Sequence, residues 1–142
     1  MDELIELEDT CDHLYHSGKY AEAVTSYTRL IELYLLNKSD CLKDSDKESL
    51  KDSDKLALIY NNRGHSKYML VDFYPAKDDF DIAVSLNPKL DIAFYNRATI
   101  LYRMGDFAPA LEDLLLCTKM NPDNLEFAEA LKACQQCLER EK

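Results

Sequence analysis

Three side chains near the start of this 142-residue chain, Cys11, His13 and His16, supply raw material for nucleophilic or zinc chemistry, a thiol with imidazoles close by. A further pair of thiols, Cys134 and Cys137, is spaced as Cys-x-x-Cys, which serves redox or zinc chemistry when a second pair or a suitable fold accompanies it. Neither set is convincing. The first spreads around a helix instead of sharing one side, and the second has no partner pair. No catalytic residue, metal or cofactor is expected.

Recognition chemistry is better represented. Asn62 and Asn96 carry amides that both donate and accept, and either could hold the backbone of an extended peptide or that of a neighbouring structural unit. Tyr68 and Tyr102 could flank apolar ligand side chains or pack internally. Glu8, Asp9 and Asp12 concentrate carboxylates near the first helix, where they could attract a basic or amine-bearing peptide or merely complement the helix dipole. Ser45 and Ser49 each have an acid three residues on, a pattern acidophilic kinases accept.

The elements that must position these residues follow from the prolines. Pro75 pairs with Pro109 and Pro88 with Pro122, each 34 residues apart. The same shift superimposes Asn62 on Asn96, Arg63 on Arg97, Tyr68 on Tyr102, Asp72 on Asp106, Ala76 on Ala110 and Asp79 on Asp113. Within each unit the apolar spacing is helical, as in Leu56, Ile59, Tyr60 and Gly64, then Ala76, Phe80, Ala83 and Val84. Each unit is therefore two helices. Pro75 and Pro109 suit a first helical turn, and Asn87-Pro88 and Asn121-Pro122 stop the second helix. Small residues at Gly64, Ala76, Ala83, Ala98 and Ala110 let backbones approach, while Tyr60, Phe80, Phe94 and Leu114 fill the space between them.

An earlier unit is legible through Gly18-Lys19-Tyr20-Ala21-Glu22-Ala23, with helices over about 3–17 and 21–35. Between it and the next lies a charged insert, 36–54, read either as a solvated loop or as extensions of the flanking helices. Phe127, Leu131, Cys134 and Leu138 make a final apolar stripe suited to a capping helix. The fold expected is all-α and seven-helical: repeats over about 4–35, 57–90 and 91–122, and a cap over 123–142, forming one domain.

Composition supports this reading. Three Gly and four Pro leave little room for a many-stranded sheet protein or a phosphate loop, and a net charge of −10 disfavours nucleic acid. No apolar run is long enough to span a membrane. An acidic N-terminus and five scattered cysteines point to a reduced, cytoplasmic setting. A monomer is expected.

A 34-residue helix-turn-helix unit of this kind resembles the tetratricopeptide repeat. Tyr60, Gly64, Ala76, Phe80 and Pro88 fit its pattern in the second unit, and Phe94, Ala98, Ala110, Leu114 and Pro122 in the third. Leu7, Leu14, Gly18, Tyr20, Ala23 and Tyr27 carry the first. Arg63 and Arg97 replace an apolar residue of the pattern, and Val71 replaces a turn glycine. The runs Tyr60-Asn61-Asn62-Arg63-Gly64, Val71-Asp72-Phe73-Tyr74 and Tyr95-Asn96-Arg97 resemble a small three-repeat member.

The resemblance implies a right-handed superhelix whose concave face, built from first helices, holds an extended peptide or a partner helix. Candidate binding residues are then Glu8, Asp9 and Asp12; Asn61, Asn62, His65 and Tyr68; Tyr95, Asn96, Thr99, Tyr102 and Arg103. It also raises the carboxylate clamp for the acidic tails of the 70- and 90-kilodalton chaperones. Here the clamp positions hold Glu8, Asp12, Asn62, Ile92 and Asn96, with Arg97 and Arg103 the nearby cations. Only Asn62 matches. Carboxylates in place of donors repel an anionic tail, so a basic partner fits better. The expectation is a non-enzymatic interaction module or adaptor. Its alternatives are a scaffold subunit using the convex face and insert, and a co-chaperone-like binder of the chaperone tails.

Overall fold

The structure, a computed structural model, describes residues 2–40 and 46–141. Among these residues there are seven helices and no strand: α1 Asp2–His16, α2 Tyr20–Asp40, α3 Asp46–Met69, α4 Phe73–Leu86, α5 Asp91–Arg103, α6 Phe107–Met120 and α7 Leu125–Glu141. Their packing divides the described chain into two compact units, Met1–Asn87 and Pro88–Lys142. The division falls at Asn87-Pro88, between the second and third repeats.

In the first unit α2 packs against both α1 and α3, and α3 against α4. In the second unit α6 packs against both α5 and α7. The small residues of the repeat are packed away: Ala76 and Ala83 on α4 and Ala98 and Ala110 in the second unit are fully or almost fully buried, as are Phe80 and Leu114. The capping stripe is present on α7, where Phe127 and Cys134 are buried.

The insert is helical where it is described, α2 continuing to Asp40 and α3 starting at Asp46; residues 41–45, with Cys41 and Ser45, lie outside the described residues. Leu, Lys and Glu in this stretch are good helix formers. Ser53 Oγ also donates to the Leu86 carbonyl at 3.0 Å, giving an end carbonyl of α4 a partner and fastening the start of α3 to it.

Each pair of helices is joined by the same turn. The N–H groups of Lys19, Asp72 and Asp106 reach back to the carbonyls of Leu14, Lys67 and Leu101, all at 2.9 Å, closing the C-terminus of each first helix. That closure requires a left-handed residue just before the donor. Gly18 (φ 77°) and Gly105 (φ 82°) supply it without strain, and Val71 adopts it at φ 65°. A β-branched residue there costs roughly 1–2 kcal/mol, and the Val71 side chain, 70% exposed, gains little packing in return. Glycine brings extra unfolded-state entropy, which offsets part of the relief. Val71→Gly is therefore expected to stabilise the protein by about 0.5–1 kcal/mol, read as a rise in the thermal unfolding midpoint.

Candidate functional site

α1 presents Glu8, Asp9 and Asp12, and two of these carboxylates are held from beneath. Tyr34 OH donates to Glu8 Oε1, and Lys55 Nζ stands 4.0 Å from Glu8 Oε2. Tyr27 OH donates to Asp12 Oδ1 at 3.1 Å and accepts from Asn62 Nδ2 at 3.4 Å. Tyr27 is buried to its hydroxyl, and burial, ahead of its carboxylate neighbour, pushes that hydroxyl well above the usual tyrosine range. Asp12, Tyr27 and Asn62 thus form one hydrogen-bonded chain joining α1, α2 and α3. Asp9 is exposed.

On α3, Asn61 is only 3% exposed and donates to Asn62 Oδ1 at 3.3 Å, so it belongs to the packing and not to an accessible face. Asn62 commits one proton and one lone pair to these internal partners, and an amide carries two of each. His65 shares a 2.8 Å hydrogen bond from Nδ1 to Tyr15 OH. Its ring lies edge-on to Tyr15 and Tyr20 and stacks on Tyr68, with centroids 5.7, 6.5 and 6.2 Å away. Burial lowers the His65 pKa from 6.5.

That shift has a sign for stability. The folded imidazole protonates at lower pH than the unfolded one, so its contribution is complete above about pH 6.5 and is lost below that, as pH falls through the lower folded-state pKa. Thermal unfolding should occur at a lower midpoint at pH 5.5 than at pH 7, and His65→Gln should flatten that difference.

In the second unit, Tyr95, Thr99 and Tyr102 line a cleft between α5 and α7 of about 190 Å³, whose remaining surface is supplied by Ala98, Leu114, Ala130 and Ala133. Tyr102 OH and Cys137 Sγ are 3.3 Å apart at its edge. Asn96 and Arg103 share α5 with these residues, Asn96 half-buried and Arg103 exposed.

Each unit contains an ion pair that recurs with the repeat. Arg63 grips Asp79 through Nε (2.8 Å) and Nη2 (2.7 Å), and Arg97 grips Asp113 in the same way at 2.8 Å for each contact. Lys67 adds a third contact to Asp79 at 3.0 Å. The guanidinium of Arg63 stands over the Tyr60 ring and that of Arg97 over Phe94, at 5.3 and 5.7 Å. These pairs fix the two helices of a repeat to each other and engage one of the cations considered for an anionic tail.

Cys11, Cys117 and Cys134 are buried in the packing, and Cys137 is half-buried. Cys11 is fully buried, and its pKa is pushed up to about 12 by burial first and then by Asp12 and Glu8, the reverse of what a nucleophile needs. Among the described residues no three His, Cys, Asp or Glu side chains converge to hold a metal ion. No described helix is long and apolar enough to cross a membrane.

Paired helices with small residues at fixed contacts, closed by a capping helix, constitute the all-α tetratricopeptide-repeat fold. Residues 92–124 match the family profile described as tetratricopeptide repeat. Among solved structures, the chain is similar to the C-terminal repeat-containing domain of a Plasmodium falciparum protein, with a TM-score of 0.82 and 16% identity over 98% of this chain and 91% of that one. It is similar to the second repeat domain of human RPAP3, in complex with the HSP70 peptide SGPTIEEVD, at a TM-score of 0.70 and 21% identity over 92% and 93% of the two chains. It is also similar to the Yersinia enterocolitica type III secretion chaperone SycD, in complex with a peptide of the translocator YopD, at 0.70 and 20% over 99% and 92%. At these identities the likeness is one of fold.

Proposed function

We propose that this protein is a non-enzymatic interaction module that takes a partner peptide or helix on the faces of its first helices, and that the partner is basic. The observation that carries the reading is the pair of carboxylates on α1, Glu8 held by the Tyr34 hydroxyl and Asp12 by that of Tyr27, which also accepts from Asn62. Fixed carboxylates are preorganised for a cation and repel an anion, and like-charge juxtaposition at an interface costs several kcal/mol. The proposed contacts are Glu8, Asp9, Asp12, Asn62, His65 and Tyr68 in the first unit, and Tyr95, Asn96, Thr99, Tyr102 and Arg103 in the second.

The chaperone-tail reading rests on fold likeness to a domain that binds such a peptide. Against it stand Glu8 and Asp12, and the bidentate engagement of Arg97 by Asp113. A scaffold role for the stretch 36–54 has its own discriminator, since deleting it should abolish partner capture only in that case.

Titration of the labelled nonapeptide SGPTIEEVD and of a Lys/Arg-rich nonapeptide separates the readings. The basic peptide is expected to bind with an affinity that weakens as salt rises, and Asp9→Lys, at an exposed carboxylate, should weaken it about tenfold. Preference for SGPTIEEVD would overturn the proposal, as would a basic-peptide affinity indifferent to salt and to Asp9→Lys.

A further inference from the structure

The cleft of the second unit is lined mainly by apolar surface. It is lined by two aromatic residues, Tyr95 and Tyr102, by the small residues Ala98, Ala130 and Ala133, and by Leu114 and Thr99. Among the described residues no charged one lines it. Thr99 Oγ1 donates to the Tyr95 carbonyl at 3.0 Å, and the Tyr102 hydroxyl is paired with Cys137, so these polar atoms already have partners inside the unit. Both tyrosines are braced: Tyr95 packs on Phe127 with centroids 5.0 Å apart, and Tyr102 meets Phe107 edge-on at 5.3 Å. The cleft is thus a formed site and needs little ordering on binding.

Resting on the peptide-binding reading, we propose that this cleft is an anchor pocket for a single phenylalanine-sized apolar side chain of the partner peptide. The volume selects the occupant. A dry apolar cavity of about 150 Å³ holds benzene, so 190 Å³ takes a phenyl ring with its methylene stem and excludes a second side chain. The lining selects it again, because two tyrosine rings offer edge and face contacts to an aromatic guest. A lysine entering the cleft would lose its water and meet no carboxylate. The partner therefore combines basic residues with one bulky apolar residue.

The test uses the full-length chain, labelled with ¹⁵N and titrated with N-acetyl-phenylalaninamide and with N-acetyl-lysinamide. The phenylalanine compound is expected to shift amides of 95–102 and 130–137 in a saturable manner, and the lysine compound to bind at least tenfold more weakly. Ala133→Leu, filling the cleft, should weaken the phenylalanine compound at least tenfold while helical circular dichroism is retained; Ala130→Leu blocks the same space one turn away should the first variant fail to fold. Equal responses to the two compounds, shifts scattered over the surface, or unchanged affinity in a folded blocked variant would overturn the pocket. Because these probes are single residues, the result is independent of peptide capture. A chain that takes the phenylalanine compound and neither nonapeptide refutes the peptide-binding reading and with it the anchor role, whereas one that binds the basic nonapeptide but not the compound refutes the pocket alone.

Discussion

Replacing Asp79 by alanine is expected to lower the unfolding free energy by about 3–5 kcal/mol, the range for removing one partner of a buried ion pair. Asp79 is 2% exposed, and its two carboxylate oxygens meet Arg63 at 2.7 and 2.8 Å and Lys67 at 3.0 Å. Alanine leaves both cations in a largely buried site; Arg63 keeps only Thr28 Oγ1, at 3.2 Å, among its hydrogen bonds described here. The cost comes from the charge left behind more than from the pair itself. Replacing both ends tests this, because Arg63→Leu with Asp79→Leu removes the desolvation burden along with the attraction, and such exchanges are often neutral or stabilising. The double variant should therefore unfold within about 1–2 kcal/mol of the wild type in urea. A single Asp79→Ala variant as stable as the wild type would show that the pair contributes nothing, and a double variant as unstable as the single one would assign the loss to packing.

This ion pair has a signature in the sequence. Arg63 recurs at Arg97 and Asp79 at Asp113, and both pairs are separated by 16 residues. Opposite charges that recur together at one spacing are a signal of pairing. Each arginine read instead as a departure from an apolar position, and each aspartate as a repeated polar residue. The helices and turns were more legible, because the prolines occupy backbone positions that few other residues tolerate, and 34-residue spacing marks two pairs of them. Val71 was conspicuous as the wrong residue for such a turn, and the turn forms there nonetheless, closed by Asp72 N–H on the Lys67 carbonyl.

The site residues were less legible for a geometric reason. The Tyr27–Asp12 and Tyr34–Glu8 bonds join residues 15 and 26 apart, set by how α1 lies on α2 and by no periodic rule. The Tyr15–His65 bond spans 50 residues and crosses the insert, which breaks the 34-residue register. Asn61 and Asn62 are adjacent and chemically identical, yet one is buried and the other half-exposed, and a helix phase error of one residue exchanges them.

Gly64→Ala is the second substitution with a large expected effect, and its sign opposes the usual rule. Inside a helix, alanine in place of glycine normally gains about 1 kcal/mol. At Gly64, within α3, an added Cβ would lie 2.8 Å from Phe80 Cε1 and 3.0 Å from both Phe80 Cδ1 and Asp79 Cβ. Phe80 is fully buried and has little room to retreat, and Asp79 is fixed by its cations, so the methyl group acts as overpacking at about 1–3 kcal/mol. The third repeat shows the complementary solution. Ala98 stands one repeat after Gly64 and Leu114 one repeat after Phe80, so the larger residue on the first helix faces the smaller one on the second. Gly64→Ala combined with Phe80→Leu imports that solution into the second repeat. The double variant should be more stable than the sum of the single losses predicts, with a coupling of about 0.5–3 kcal/mol in a double-mutant cycle read by urea unfolding. Additive losses would mean that the glycine and the phenylalanine do not constrain each other, and a Gly64→Ala variant more stable than the wild type would mean that α3 and α4 separate enough to admit the methyl group.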